Sequence, residues 1–256
     1  MQLKMETSLR SKYKNPTQIA RVVTEDWAAR NLYCPACESN ELDPTAPNSP
    51  AIDLSCPSCG EVFQLKSGHN WGQRKIVDAG FTAMIAAIRS DRVPNLVLMQ
   101  YTESWEVYNL LIVPHFFFTE SVIEARKPLG PNARRAGWVG CNILIGEIPV
   151  DGKVKMVQDG TITQTSQVRG KFNSLRALSD LGTEVRGWTL DVLRAIRRLN
   201  KGEFTLSEVY AFESLLQDAH PDNQNVRPKI RQQLQKLRDL KLLKFVSPGR
   251  YRFADV

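Results

Sequence analysis

Cys34-Pro-Ala-Cys37 and Cys56-Pro-Ser-Cys59 constrain this chain of 256 residues more than any other feature. Their spacing, C-x₂-C-x₁₈-C-x₂-C, lies within the pattern of two zinc knuckles. Each pair presents two thiolates to one ion, and four thiolates close a tetrahedral structural site. Pro follows the first cysteine in both pairs, which fits a knuckle. The competing readings are four buried thiols or two redox pairs, and a thioredoxin motif has no need of two copies so placed. The fifth cysteine, Cys141, stands alone in GWVGCNI and is expected to be a small buried core residue.

No run of about 18 apolar residues appears, so no membrane span is expected. MQLKMETSLRSKYKN lacks the apolar stretch of a signal peptide, and a cytoplasmic location is expected. Reducing conditions there favour metal binding over disulfides. Net charge is +7, and its distribution matters more than its size. Residues 186–256 hold 14 Lys and Arg against 8 Asp and Glu, whereas residues 1–185 hold 20 against 19. A compact basic segment suits phosphate-backbone binding; a solvated basic face with no partner is the plainer reading.

TQIARVVTEDWAARNL, residues 17–32, has helical rhythm, with Ile19, Val22, Val23 and Trp27 on one face. NELDPTAPNSP reads as a loop. Residues 51–55 and 61–67 read as strands and 78–89 as a helix. NLVLMQYT and VYNLLIVP suggest a central hairpin, KPLGPNARRAGWVGCN irregular structure, and KVKMVQDGTI a late hairpin. This mixture predicts an α/β or α+β domain over residues 1–182. Beyond it the pattern changes. Trp188 to Leu199 reads as a helix capped by Thr189. Thr205-Leu-Ser-Glu208 fits a capping box opening a helix to about His220. A third helix near 227–240 buries Val226, Ile230, Leu234 and Leu237, and LLKFV-SPGR-YRF reads as a hairpin. Three helices followed by a hairpin is the order of a winged helix, placed here at residues 183–256.

The second CxxC sits inside AIDLSCPSCGEVFQLK, residues 51–66. If CPSCG turns between antiparallel strands, alternation places Asp53, Gln64 and Lys66 on one face. That trio suits Mg²⁺-dependent phosphodiester cleavage. Asp53 offers a hard anionic oxygen and Gln64 a neutral carbonyl, while Lys66 positions or deprotonates water or stabilises phosphate charge. D-x₁₀-Q-x-K is short, and ordinary strand residues with a surface lysine are the alternative.

D…QxK resembles the PD-(D/E)XK nuclease motif in its Q-variant form. The whole chain resembles the DpnI-type methyl-directed restriction endonucleases. The resemblance rests on RxxTEDW, YCPAC, CPSC followed by F-x-LKS, KPLGPNARRAGWVGCNI, VQDG, RGWT, EFTL and IRQQLQKLRD, in order along nearly the full length. It implies a PD-(D/E)XK nuclease core, a mixed sheet flanked by helices with an inserted zinc site, joined to a C-terminal winged helix. It further implies cleavage of double-stranded DNA at GATC carrying 6-methyladenine, with Asp53 and Lys66 catalytic. Gln64 stands where the family pattern has Glu. An amide binds Mg²⁺ more weakly than a carboxylate, yet Q-variants elsewhere are active.

Reading a methyl in the major groove needs an apolar or aromatic surface and hydrogen bonds to base edges. Trp138, between glycines and preceded by Arg134 and Arg135, is a candidate; a core tryptophan is the alternative. On the third winged-helix helix, Arg231, Gln232, Gln235 and Lys236, with Arg227 and Arg238 alongside, suit guanine, adenine and phosphate. His69, His115 and His220 are scattered and make no nucleophile–base pair in sequence. Asp78 and Glu25 are possible further metal or water ligands. A monomer is expected, since no dimerisation element is evident. The competing function is a non-catalytic zinc-ribbon and winged-helix reader of methylated DNA. A weaker one is a nuclease for other modified DNA.

Overall fold

The structure, a computed structural model, describes residues 1–46, 51–70 and 74–254. In chain order its helices are α1 (Pro16–Asn31), α2 (Phe81–Arg89), α3 (Thr165–Ser174), α4 (Thr183–Arg198), α5 (Leu206–Tyr210), α6 (Glu213–Ala219) and α7 (Val226–Asp239). Its strands are β1 (Asp43–Pro44), β2 (Leu54–Ser55), β3 (Val62–Gly68), β4 (Ile76–Gly80), β5 (Asn95–Tyr101), β6 (Val107–Val113) and β7 (Ile123–Ala125). They continue with β8 (Gly140–Ile143), β9 (Val154–Gln158), β10 (Thr161–Ile162), β11 (Glu203–Thr205), β12 (Leu243–Ser247) and β13 (Arg250–Phe253). The chain divides into two compact units. One comprises Met1–Gln73, Arg92–His115 and Asp151–Ser174, the other Arg74–Asp91, Phe116–Val150 and Leu175–Val256.

The first unit is built on a mixed sheet, ordered β1-β2-β3-β5-β6-β9-β10. β3 and β5 run parallel, and the other neighbours are antiparallel. NLVLMQY is buried at nearly every position, as its unbroken apolar run requires of a strand covered on both faces. It forms the expected hairpin with VYNLLIV. KVKMVQDGTI also closes as expected. Asp159 and Gly160 both take left-handed backbone (φ 49° and 74°), the combination that joins two strands by a two-residue turn. α1 starts behind Pro16, where the Asn15 side chain accepts the Thr17 and Gln18 N–H groups. It buries Val23 and Trp27 as expected, with Ile19 and Val22 half-buried. The loop expected over 40–50 needs amending, because Asp43–Pro44 pairs with β2; residues 47–50 lie outside the described residues.

In the second unit β4, β8 and β7 form an antiparallel sheet against α2. The helix expected from 78 begins only at Phe81. Gly80 is extended, its strand pairs with β8, and the Phe81 N–H donates to the Val139 carbonyl. The glycine-rich stretch is irregular over 126–139, but its end, from Gly140, is the buried strand β8. α4 starts at Thr183, five residues before the expected Trp188. Thr189 is no cap: it is buried mid-helix, donating to the Val185 carbonyl and to Gln233 Oε1.

Thr205 and Glu208 form the expected capping box. The helix they open stops at Tyr210, and a second turn-separated helix, α6, completes the stretch to Ala219. α7 buries Val226, Ile230, Leu234 and Leu237, and the expected hairpin β12–β13 gains β11 as a third strand. Thr205→Ala is expected to cost about 1 kcal/mol in urea unfolding, the usual worth of an N-cap side chain.

Candidate active site and DNA interface

The four knuckle cysteines converge. Their sulfurs all lie within 4.8 Å of one another, with Cys34–Cys59 at 3.5 Å and Cys37–Cys56 at 3.6 Å. Four thiolates about 2.3 Å from one zinc ion sit roughly 3.8 Å apart, so the donor set fits a tetrahedral metal. Burial raises the Cys34 thiol and pushes Cys59 up to about 11. At Cys56 burial also works upward, but N–H groups of Cys59 and Ser58 and neighbouring thiols outweigh it and bring the group down to about 7. Arg169 on α3 braces the knuckle. It donates to the Cys34 carbonyl (3.2 Å), the Ser39 carbonyl (2.8 Å) and Glu38 (2.8 Å), with its guanidinium over the Tyr33 ring.

The CPSCG segment is the turn between β2 and β3, which pair antiparallel with Leu54 opposite Phe63 and Ser55 opposite Val62. Asp53 lies just before β2, so the strand expected over 51–55 is confined to Leu54–Ser55, and the Asp53 N–H donates to the Phe63 carbonyl at 2.8 Å, one residue out of that register. Within β3, alternation puts Gln64 and Lys66 on one face. Phe63 on the other face is wholly buried. Asp53 Oδ2 also accepts the Leu65 N–H at 2.7 Å, which fixes the carboxylate against β3. Gln64 is buried and Lys66 half-buried. α1 lies along the same strand, with Thr24 Oγ1 3.0 Å from Ser67 Oγ. One turn earlier, Arg21 pairs with Glu25, and that carboxylate is the main reason its guanidinium is held more firmly charged; Asp53 adds to the effect. Glu25 is thus engaged on α1, and Asp78 is buried in β4.

Trp138 is half-buried in its loop, with Arg134 and Arg135 exposed. The indole lies across two glycines that pair between strands, Gly80 and Gly140. A methyl group on Gly140 would sit 2.9 Å from the Trp138 ring, and one on Gly80 3.4 Å from its Nε1. At Gly140 glycine is required by close approach rather than by backbone angle, while Gly80 leaves ordinary contact distance. The Arg135 guanidinium caps the ring at 5.3 Å.

On α7, Arg227, Arg231, Gln235 and Arg238 form one exposed stripe. Gln232 and Lys236 come one residue later, about 100° round the helix. Arg227 pairs with Glu213 and covers the Tyr210 ring; Arg231 donates to the Tyr210 hydroxyl at 3.0 Å; Arg238 pairs with Asp239. Tyr251 on β13 adjoins the stripe. Burial raises its hydroxyl, which the charges of Arg238 and Arg231 partly offset.

The model of the Dam-replacing family, DpnI, matches residues 1–181, and that of the Dam-replacing helix-turn-helix domain matches residues 184–253. The chain belongs to the DpnI family. That family is one of methylation-dependent DNA-cleaving enzymes, and the second match gives the chain a DNA-binding C-terminal domain, as the resemblance implied. No helix among the described residues is long and apolar enough to cross a membrane.

Within the helix-turn-helix match, His220 has a partner that is invisible in sequence. Its Nε2 lies 2.8 Å from Asp191 Oδ2, and Ser121 Oγ donates to Asp191 Oδ1 at 2.6 Å. The carboxylate stands between serine and imidazole, so the hydroxyl donates to Asp191 rather than to a base, and this trio is no nucleophile–base pair. His220 also stacks on Trp188, their centroids 3.8 Å apart. The trio ties α4 to the turn ahead of α7. Tyr210, Tyr251 and Arg169 were missed by sequence reasoning. The signal for Tyr251 was its place between Arg250 and Arg252; Tyr210 and Arg169 carried no local signal.

Proposed function

We propose that this DpnI-family chain cleaves double-stranded DNA at GATC sites carrying 6-methyladenine, using Mg²⁺, as a monomer. The reading assigns residues 1–182 to a PD-(D/E)XK nuclease domain with a structural zinc ion on Cys34, Cys37, Cys56 and Cys59, and residues 183–256 to a winged helix. The observation that carries it is the Asp53 carboxylate fixed on β3, the strand that holds Gln64 and Lys66 on one face, beside the turn made by the cysteine knuckle. Asp53 and Gln64 would hold Mg²⁺, together with phosphate oxygens and water. When bound, the ion neutralises charge on the scissile phosphate and lowers the pKa of bound water. Asp53 contributes a carboxylate already oriented by the Leu65 N–H. Lys66, two residues along from Gln64, places its ammonium where it orients the attacking water or meets charge developing on phosphate.

Trp138, with Arg134 and Arg135, is assigned to reading the adenine methyl. An indole held flat against Gly80 and Gly140 is pre-positioned rather than ordered on binding. Arg227, Arg231, Gln235 and Arg238 on the α7 stripe, flanked by Gln232 and Lys236, are assigned to bases and phosphates. Gly140→Ala is expected to lift the Trp138 ring and to lower the cleavage preference for methylated over unmethylated DNA about tenfold or more. The folded chain and its zinc content should be unchanged. Competitive digestion of the two substrates measures it.

The amide at Gln64 favours a second reading, a family member that binds methylated DNA without cutting it. Gln64→Glu separates the two: faster cleavage or lower Mg²⁺ requirement fits the nuclease, while a chain inert before and after fits the reader.

A further inference from the structure

Trp105 has left-handed backbone, φ 60°, in the turn between β5 and β6. Glycine or asparagine takes such a position at little cost, whereas a bulky residue there is an outlier. The indole stacks on Tyr101 with centroids 5.1 Å apart, and Tyr101 in turn meets exposed His69 at 4.2 Å. His69 directly follows β3, the strand of Gln64 and Lys66.

Trp105 is also the seat of the segment preceding α1. The Met5 N–H donates to the Trp105 carbonyl at 2.8 Å, the Val107 N–H donates to the Leu3 carbonyl at 2.9 Å, and Lys4 bridges Glu106. Gln2 is held on α1, its carbonyl accepting the Trp27 Nε1–H. The Arg10 guanidinium rests over the Trp105 ring at 5.3 Å. Lys4, Arg10, Lys12 and Lys14 are all exposed, against one carboxylate, Glu6, which accepts the Ser8 N–H. The segment leads into α1, where Thr24 touches Ser67 and Arg21 feels the charge of Asp53.

We propose that residues 1–14, seated on Trp105, form a basic arm that grips the phosphate backbone of duplex DNA on the Asp53 side of the first unit. The proposal rests on the nuclease reading for its placement and on charge complementarity for its partner. A row of exposed cations fastened to folded structure keeps its geometry, and so loses less on binding than a loose basic tail.

The test is duplex binding by the full chain in EDTA across a salt series, which requires no cleavage. Arg10, Lys12 and Lys14 together changed to Gln should reduce the slope of log affinity against log salt by about 2–3, since each released phosphate contact accounts for about 0.9. Affinity at low salt should fall roughly tenfold or more. Trp105→Asn suits the left-handed backbone, so it should keep or raise the melting temperature while weakening DNA binding in the same direction. An unchanged slope in the triple variant overturns the arm even if the chain cuts DNA. A reduced slope in a chain that never cuts keeps the arm and sinks the nuclease reading instead. Full DNA affinity in a folded Trp105→Asn chain overturns Trp105 as the seat.

Discussion

Lys66→Ala is expected to reduce cleavage by roughly a hundred- to ten-thousand-fold while leaving DNA affinity nearly intact. Lys66 shares a face with Gln64 on β3 and is half-buried. In the proposed nuclease its ammonium acts on the reacting phosphate or its water, whereas groove and backbone contacts are spread over many other cations. Asp53→Asn is the companion variant. Its amide oxygen still accepts the Leu65 N–H that Asp53 Oδ2 now accepts at 2.7 Å, so the hairpin survives while the anionic metal ligand is lost. Cleavage by Asp53→Asn should therefore fall as steeply as in Lys66→Ala, with no drop in melting temperature. Single-turnover digestion beside a binding assay reads both. A Lys66→Ala chain that cuts at the parent rate would remove the trio from catalysis.

The second large effect concerns the proposed zinc site. Structural zinc contributes about 10–16 kcal/mol in small zinc-finger peptides, and a single missing thiolate leaves the tetrahedron open. Cys56→Ser is expected to abolish stoichiometric zinc, lower the melting temperature by tens of degrees and abolish cleavage. Cys56 and Cys59 flank the turn between β2 and β3, on which the Asp53 carboxylate is fixed, so slackening of the knuckle is felt at Asp53, Gln64 and Lys66. Arg169→Ala should give a milder version, because it leaves the thiolates in place and removes only the brace to Cys34, Glu38 and Ser39. Metal analysis and thermal unfolding distinguish the two. A Cys56→Ser chain with one zinc per chain and unchanged melting would contradict a structural metal site.

The knuckle and its hairpin were legible in sequence because thiol spacing and strand alternation are both local. The same holds for β5 and β6, whose apolar runs leave no other role, and for the capping box at Thr205. The failures have a common cause, long-range partners. Asp78 to Gly80 reads as the start of a helix, yet pairing with β8 and the need to pass beneath Trp138 hold it extended. Thr189 reads as a cap, yet Gln233, far along the chain, turns it into a buried mid-helix partner. On α7, the basic and amide residues named from sequence are exposed, apart from half-buried Lys236. Sequence did not show that Arg227 and Arg231 are drawn onto Tyr210, because the tyrosine comes from another helix. The Asp191–His220 contact is likewise a product of tertiary structure.

Digestion of adenine-methylated and unmethylated copies of one plasmid, with Mg²⁺ and then with EDTA, tests the central claim most directly. The account predicts fragments from the methylated copy alone, only with Mg²⁺, ending at GATC. Equal cutting of both copies would contradict methyl reading by Trp138. Tight binding of methylated DNA with no cutting at any Mg²⁺ concentration would contradict the nuclease and leave Gln64 as the residue that turned the family fold into a reader.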